Sequence, residues 1–401
     1  MEKLQPELRF PEFNGDWEQR AVGSVCNFIV PGRNKPTKFD GNIPWITTPD
    51  IKHNSIVYFS KSNLAISLDE AKDVGSKVVP KDSVIISCVG ELGLVAISGT
   101  EMVINQQLHA FIPKHEVNYR FLLYALTVQK PYMDKVATKT AVPYMNKTNC
   151  NSIPVIFPTL PEQTKIAEFL TAVDKRIELL TAKKEKLTLY KKGVMQKIFN
   201  QELRFKIDNG HGELVEPPEW EERRLGEVCH YFSKRNKKLI KAEVYSVTNS
   251  NGFVLQSEQF EDRKIAGNDL SNYKIVEKNS FAYNPARINV GSIAQFEDEI
   301  GLISSLYVCF NVSDKLLDKF LLIFLDLEST KKSIVDYGEG GVRVYLWYNL
   351  FSLIPIRLPS IAEQRKIAEF SSSIDAQIQK VEQQITLNQK YKKGLLQKMF
   401  V

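Results

Sequence analysis

The sequence predicts an α+β protein: two mixed α/β domains separated by two long antiparallel coiled-coil helices, with a pseudo-twofold internal repeat. Three observations predict it. Residues 153–199 align with residues 354–400 at an offset of 201 without a gap, with 19 identities in 47 positions. Both aligned tails carry apolar residues at a period of 3.5, and the segments before them mix short β-rich runs with single amphipathic helices.

The rest of each half corresponds more loosely. Trp17-Glu-Gln-Arg-Ala-Val-Gly-Ser-Val-Cys26 matches Trp220-Glu-Glu-Arg-Arg-Leu-Gly-Glu-Val-Cys229, Arg33-Asn-Lys35 matches Arg235-Asn-Lys237, and Arg120–Leu126 matches Lys319–Leu325. The offsets drift between 199 and 203, as short loop insertions produce. Length alone suggests about 2.7 domains at about 150 residues each. The repeat turns 401 residues into two units of about 200, each a globular part of about 145 residues and a helix of about 38. The boundaries read from it are 1–158, 159–205, 206–358 and 359–401.

Within the globular parts, Ser83–Ser87 and Leu94–Ile97 read as strands around the turn Gly90-Glu-Leu-Gly93, and Asn279–Tyr283 with Ser292–Phe296 mirror them. A helix follows in each, over about 118–130 up to Pro131 and about 315–335 up to Gly338. Pro161 and Glu162 open the first tail, where a proline's missing N–H costs nothing. Its seams are Ile166, Val173, Leu180, Leu187, Val194 and Leu170, Ile177, Ile198, interrupted by Lys184 and Lys191. The second tail gives Ile367, Ile374, Val381, Asn388, Leu395 and Ile378, Ile385, Met399. Such a helix spans about 57 Å, longer than a domain, and acts as a spacer. A seam Asn such as Asn388 can fix register.

Composition bounds the function. A hydrophobic fraction of 43% with 25% charged residues excludes wholesale disorder, and no apolar run is long enough to span a bilayer. The N-terminal residues lack the apolar core of a signal peptide, and the five cysteines form no Cys-x-x-Cys pair, so the expected compartment is the reducing cytoplasm. The net charge of +6 permits a nucleic-acid partner without demanding one.

Catalytic motifs are sparse. Pro49-Asp50 with Glu70-Ala-Lys72 has the Pro-Asp…Glu-x-Lys spacing of metal-dependent nucleases, but Ser67-Leu-Asp-Glu70 reads as a capping box that would point those groups apart. Asn284-Pro285-Ala-Arg lacks the aromatic platform that a flipped base needs, and the Gly90 and Gly338 turns have neither the Gly-x-Gly-x-x-Gly spacing nor a Walker lysine. The histidines form no metal-ligand pair, and His109 on an apolar strand reads as a core residue. Basic, turn-rich loops recur in corresponding places. Arg33, Asn34, Lys35 and Lys38 in one half, with Lys234, Arg235, Asn236, Lys237 and Lys238 in the other, are candidate DNA contacts. Lys135, Lys139, Arg287 and Arg343 are further candidates by charge near predicted loops.

The tails also carry Pro-x-x-x-Glu-Gln-x-Lys-Ile-Ala (Pro158–Ala167 and Pro359–Ala368), then Asp174 or Asp375, then Tyr-Lys-Lys-Gly…Gln-Lys-x-Phe. With the Pro217…Trp220…Gly-x-Val228 entry and Asn105-Gln106-Gln107, the whole chain resembles the specificity subunits of type I restriction-modification systems. That resemblance implies two target recognition domains, each reading half of a bipartite double-stranded DNA sequence. It implies helices that space the half-sites about one DNA turn, roughly 34–36 Å, apart. It further implies docking of two methyltransferase subunits that carry S-adenosylmethionine, and restriction/translocase subunits that use ATP and Mg. The chain itself would be non-catalytic, with no cofactor of its own, and nucleoid-associated in a bacterial or archaeal cytoplasm. Two other readings stay open on the residues alone: a coiled-coil scaffold that never touches DNA, and a nuclease built on Asp50, Glu70 and Lys72.

Overall fold

A computed structural model describes residues 5–32, 34–259, 269–340 and 344–400. The chain divides into two compact units, Met1–Ala182 together with Glu382–Val401, and Lys183–Val381. The two tails form the central helix Leu160–Phe199 and the distal helix Ile361–Met399, and each runs through a unit boundary.

In the first unit a five-stranded sheet has the order Cys26–Ile29, Leu108–Pro113, Val84–Ser87, Val95–Ser98, Ser55–Val57. All neighbours are antiparallel except the last pair. Ile43–Ile46 pairs Ala65–Ile66 and Val103–Ile104 in a second, three-stranded sheet, and Glu18–Ala21 pairs Pro154–Phe157. The central strands of the larger sheet are buried on both faces, which is why Val84–Ser87 and Val95–Ser98 read as continuous apolar runs rather than alternating ones. Helix Tyr119–Val128 covers one face, capped by Asn118, whose carboxamide oxygen accepts from the N–H groups of Arg120 and Phe121. Pro131 does not end the chain's helical path. It sits in the first turn of a second short helix, Lys130–Val136, where its missing N–H is tolerated.

The second unit repeats the plan. Cys229–Phe232, Val308–Val312, Phe281–Tyr283 and Ile293–Gln295 form one sheet, and Gly252–Leu255, Val244–Thr248, Ile300–Ile303 and Lys274–Glu277 form another. Glu221–Arg224 pairs Pro355–Leu358. The helix expected over about 315–335 is two helices, Asp318–Asp326 and Glu328–Tyr337, broken at Leu327 in extended conformation. Gly23 and Gly226 explain the repeated Gly-x-Val. A Cβ on either would stand 2.7 Å from the Cβ of Asn151 or Ser352.

The heptad residues are the covered ones. Ile166, Leu170 and Val173 of the central helix share a core with Leu395 and Met399 of the distal helix in the first unit. Met195 and Ile198 share one with Ile367 in the second. Within each unit the two helical segments therefore run antiparallel. Asn388 is half-buried, and its amide donates to the Gln384 carbonyl of its own helix, not across the seam. The charged contacts do cross the seam. Lys392 lies 2.5 Å from Asp174 in the first unit, and Lys191 lies 2.7 Å from Asp375 in the second.

The Glu-Gln of each tail motif anchors helix to domain. Gln163 accepts from the N–H of Asn118 and donates to the carbonyls of Glu116 and Pro158. Gln364 does the same with Leu317, Lys315 and Pro359. The closing Phe of each motif packs on a recurring aromatic pair: Phe400 on Phe121, and Phe199 on Phe320 and Trp220. No described helix is long and apolar enough to cross a membrane.

Candidate nucleic-acid interface

Each larger sheet has two distinct ends. In the first unit, the end where Cys26 pairs Pro113 leads to Asn118 and the central helix. The opposite end gathers loops. Strand Cys26–Ile29 exits there into the 30–42 loop, Asn105–Gln107 enters strand Leu108–Pro113, and strand Val84–Ser87 exits into the Cys88–Leu94 turn. The Cys88 N–H donates to the Gln107 carbonyl (2.8 Å), and the Cys88 carbonyl accepts from the Met145 N–H (2.8 Å). That second bond brings in a tight loop closed by the Thr138 N–H on the Tyr144 carbonyl and by the Gly90 N–H on the Pro143 carbonyl. The second unit does likewise. Strand Cys229–Phe232 exits into the 233–243 loop and strand Phe281–Tyr283 into the 284–291 turn, while Glu339 and Tyr345 exchange backbone hydrogen bonds beside Pro285, whose carbonyl accepts from Leu346.

Most sequence-predicted residues fall at these ends. Asn34, Lys35 and Lys38 are exposed on the first loop, with the Lys35 ammonium 5.8 Å above the Trp45 ring. Lys139 is exposed on the Thr138–Tyr144 loop, and Lys135 on the helix just before it. Arg235, Lys237 and Lys238 are exposed on the second unit's loop, and Arg287 on the turn after Tyr283. Two residues play other parts. Asn236 is buried; its side chain accepts from the Ile240 N–H and donates to the Ile240 carbonyl, so it shapes the loop and presents nothing to a base. Lys234 is ion-paired with Glu277. Arg33 and Arg343 lie outside the described residues.

Sequence reasoning passed over several neighbours. Gln107, noted only for its motif, is exposed among the first unit's loops, and Tyr345 and Trp347 stack at 6.3 Å, both partly exposed, in the second. The Asn-Gln-Gln motif was the available signal for the first. The aromatic pair gave none, because the residues are non-adjacent and look like strand residues.

The nuclease residues do not converge. The Asp50 carboxylate takes hydrogen bonds from the Thr47 N–H and hydroxyl, the Ser60 hydroxyl and the Lys61 N–H. Burial pushes its pKa up, but these donors outweigh burial and hold it below the ordinary value. Glu70 serves a different loop, accepting from the N–H groups of Thr37 and Lys38, which lower its pKa. Its N–H still donates to Ser67, so only half of the expected capping box forms. Lys72 lies beside Asp69. Asn284 is likewise a turn former, its side chain accepting from Ala286. His109 is buried, bonded to Asn151 at 3.2 Å, with burial pushing its pKa down to about 4. The thiols of Cys26, Cys229 and Cys309 are pushed up to about 12 by burial, far from a reactive thiolate. Among the described residues no group of three or more His, Cys, Asp or Glu side chains is placed to hold a metal ion.

The chain is similar to known proteins in sequence and in fold. The chain is 23% identical over 434 aligned positions to the type I restriction enzyme MjaIX specificity subunit of Methanocaldococcus jannaschii, covering 100% of this chain and 97% of that protein. It is 25% identical to the MjaVIII specificity subunit of the same organism, over 92% of this chain and 87% of that one. The type I restriction enzyme HindI specificity subunit of Haemophilus influenzae is 26% identical over 48% of this chain and 38% of its own length. The crystal structure of a type I restriction-modification S subunit from M. genitalium shares the fold with a TM-score of 0.59, at 16% identity and with 99% of each chain covered. The model of the type I restriction modification DNA specificity domain matches residues 14–189 and again 217–389, and the chain belongs to that family, as a specificity subunit of a type I restriction-modification system.

Proposed function

We propose that each unit's loop-bearing sheet end reads one half of a bipartite DNA target, and that the two helices set the unread gap and dock two methyltransferase subunits, with restriction/translocase subunits joining the same complex. The observation that carries this reading is the recurrence of exposed basic loops at one sheet end in both units, opposite the end that Gln163 or Gln364 fastens to a long helix. Arg235, Lys237 and Lys238 in one unit, and Asn34, Lys35, Lys38 and Lys139 in the other, supply phosphate contacts that position the duplex; base contacts come from side chains between them. Affinity is then steeply salt-dependent. The methyl donor and the nucleotide belong to the partner subunits.

Exchange of residues 14–158 for the corresponding segment of another specificity subunit, followed by sequencing of methylated DNA from cells that also make the methyltransferase subunits, tests this. One half of the methylated motif changes and the other half and the gap persist. A change in both halves, or in neither, overturns the modular reading; absence of duplex binding by the purified complex favours a scaffold instead.

A further inference from the structure

At the first unit's loop end, one exposed amide has its oxygen committed. The Gln107 N–H donates to the Asn105 side-chain oxygen at 3.2 Å. A backbone N–H can only donate, so this bond fixes which way the Asn105 amide points. Asn105 Nδ2 then donates to Gln107 Oε1 at 3.2 Å, and the Thr48 hydroxyl donates to the same oxygen at 3.0 Å. Both acceptor positions of the Gln107 carbonyl oxygen are thereby filled, while its Nε2 carries two hydrogens and makes no hydrogen bond within the described residues. The side chain is exposed and lines a pocket of about 350 Å³ with Asn34, Lys35 and Trp45.

Thr48 is itself held. It opens the 3-10 turn Thr48–Asp50, and Asp50 clamps that turn to Thr47, Ser60 and Lys61. The Pro49-Asp50 motif thus braces Gln107. The second unit has Ser304 and Leu306 at the corresponding places, since Ile303 pairs Tyr245 as Ile104 pairs Ile46, so the device belongs to the first unit alone.

We infer that Gln107 is a specificity-determining residue that reads an acceptor-only base edge, a guanine N7 and O6 in the major groove, with Thr48 and Asn105 as its positioning residues. A free glutamine favours adenine, accepting from N6 and donating to N7; a glutamine whose oxygen is already doubly bonded can only donate. Preorganisation of the amide is what makes the discrimination sharp.

This inference rests on the DNA-reading role of the sheet end, and one experiment separates the two. The chain purified with its methyltransferase subunits is titrated with duplexes that carry every single-base-pair change in the first domain's half-site. Gln107→Ala lowers the preference at one guanine position by roughly tenfold or more and leaves other positions unchanged. Gln107→Glu, which offers acceptors only, moves the preference there toward cytosine. Thr48→Val, far less disruptive, loosens the same position and no other. Unchanged preferences in Gln107→Ala, uniform weakening across all duplexes (a phosphate contact), or a preferred adenine at the affected position each overturn the inference. A wild-type complex without any base preference overturns instead the reading on which it rests.

Discussion

Arg204 donates from Nε and Nη2 to the carboxylate of Glu363, at 2.9 and 2.8 Å, and that carboxylate is fully buried. Trp220 adds a third donor at 3.1 Å. The first unit has the same clamp in Arg9 and Glu162, at 2.7 and 2.8 Å, but the Trp17 indole N–H has no partner among the described residues. These pairs tie the segment before each domain to the first turn of the helix that follows it, with Phe10 on Phe169 and Phe205 on Phe370 beside them. Removing one member of a buried pair strands a charge and costs about 3–5 kcal/mol, whereas replacing both by apolar groups is far cheaper. The arginines are partly exposed, so the lower end applies. Arg204→Ala is expected to destabilise the second unit by about 3 kcal/mol. Arg9→Ala should cost the first unit at least as much, because Glu162 keeps no second donor among the described residues. Hydrogen exchange of peptides containing Trp220 or Trp17 reads each unit separately; native protection in the variants would refute the clamp.

The seam ion pairs offer a charge-swap test. Lys392 and Asp174 are both largely covered, and the Tyr124 hydroxyl also donates to Asp174 at 2.7 Å. Asp174→Lys places two ammonium groups together, and adding Lys392→Asp restores an opposite pair. The expected coupling is about 1 kcal/mol, measured by a double-mutant cycle in urea. Additive losses would mean that the pair does not set register.

The duplication, the heptads and the Glu-Gln motif were legible because each repeats with a period or an offset that sequence displays. The clamp was not. Glu7-Leu-Arg-Phe10 and Glu202-Leu-Arg-Phe205 are repeated, but at offset 195, away from the 201 of the tails, and a four-residue match says nothing of a clamp until Glu162 and Glu363 are seen beside it. Charge near loops picks out Lys35, Lys139 and Lys237, which the structure exposes on loops, and also Asn236, which it buries. An Asn within a basic run looks like a base reader, whereas the loop's own backbone groups needed it first. Pro49-Asp50 shows the same competition: a carboxylate that satisfies four local donors is a brace, and only geometry distinguishes that from a metal ligand.

His109 makes the first unit acid-sensitive. Unfolded, its imidazole takes up a proton near 6.5; folded and buried, only near 4. The unfolded state therefore binds more protons between these values, and stability that is complete above pH 6.5 falls as the pH drops toward 4, by about 3 kcal/mol in all. Val308 occupies the corresponding strand position in the second unit, as the pairing of Phe111 and Phe310 with their neighbours shows. His109→Gln keeps a donor for Asn151 but cannot be charged. Urea melts at pH 7.5 and 5 should show a smaller loss in the variant than in the wild type; equal losses would place the acid sensitivity elsewhere.

The second unit's basic loop sets exposed lysines beside a structural asparagine within five residues. Lys237 and Lys238 are exposed, the Lys237 N–H donates to the Arg235 carbonyl, and neither ammonium group has a hydrogen bond or ion pair among the described residues, while Asn236 holds the loop closed on Ile240. If both lysines neutralise phosphates, each released counterion contributes about 0.9 to the slope of log K against log salt. The Lys237→Ala, Lys238→Ala double variant should flatten that slope by about 1.8 and weaken all duplexes alike, cognate or not. Asn236→Ala should cost about 1 kcal/mol of local stability through the lost hydrogen bonds and change the slope much less. Titrations of the methyltransferase-bound chain at several salt concentrations, with cognate and scrambled duplexes, measure both. A steep slope retained by the double variant would move the phosphate contacts off this loop, and a change in base preference would make one of these lysines a reader.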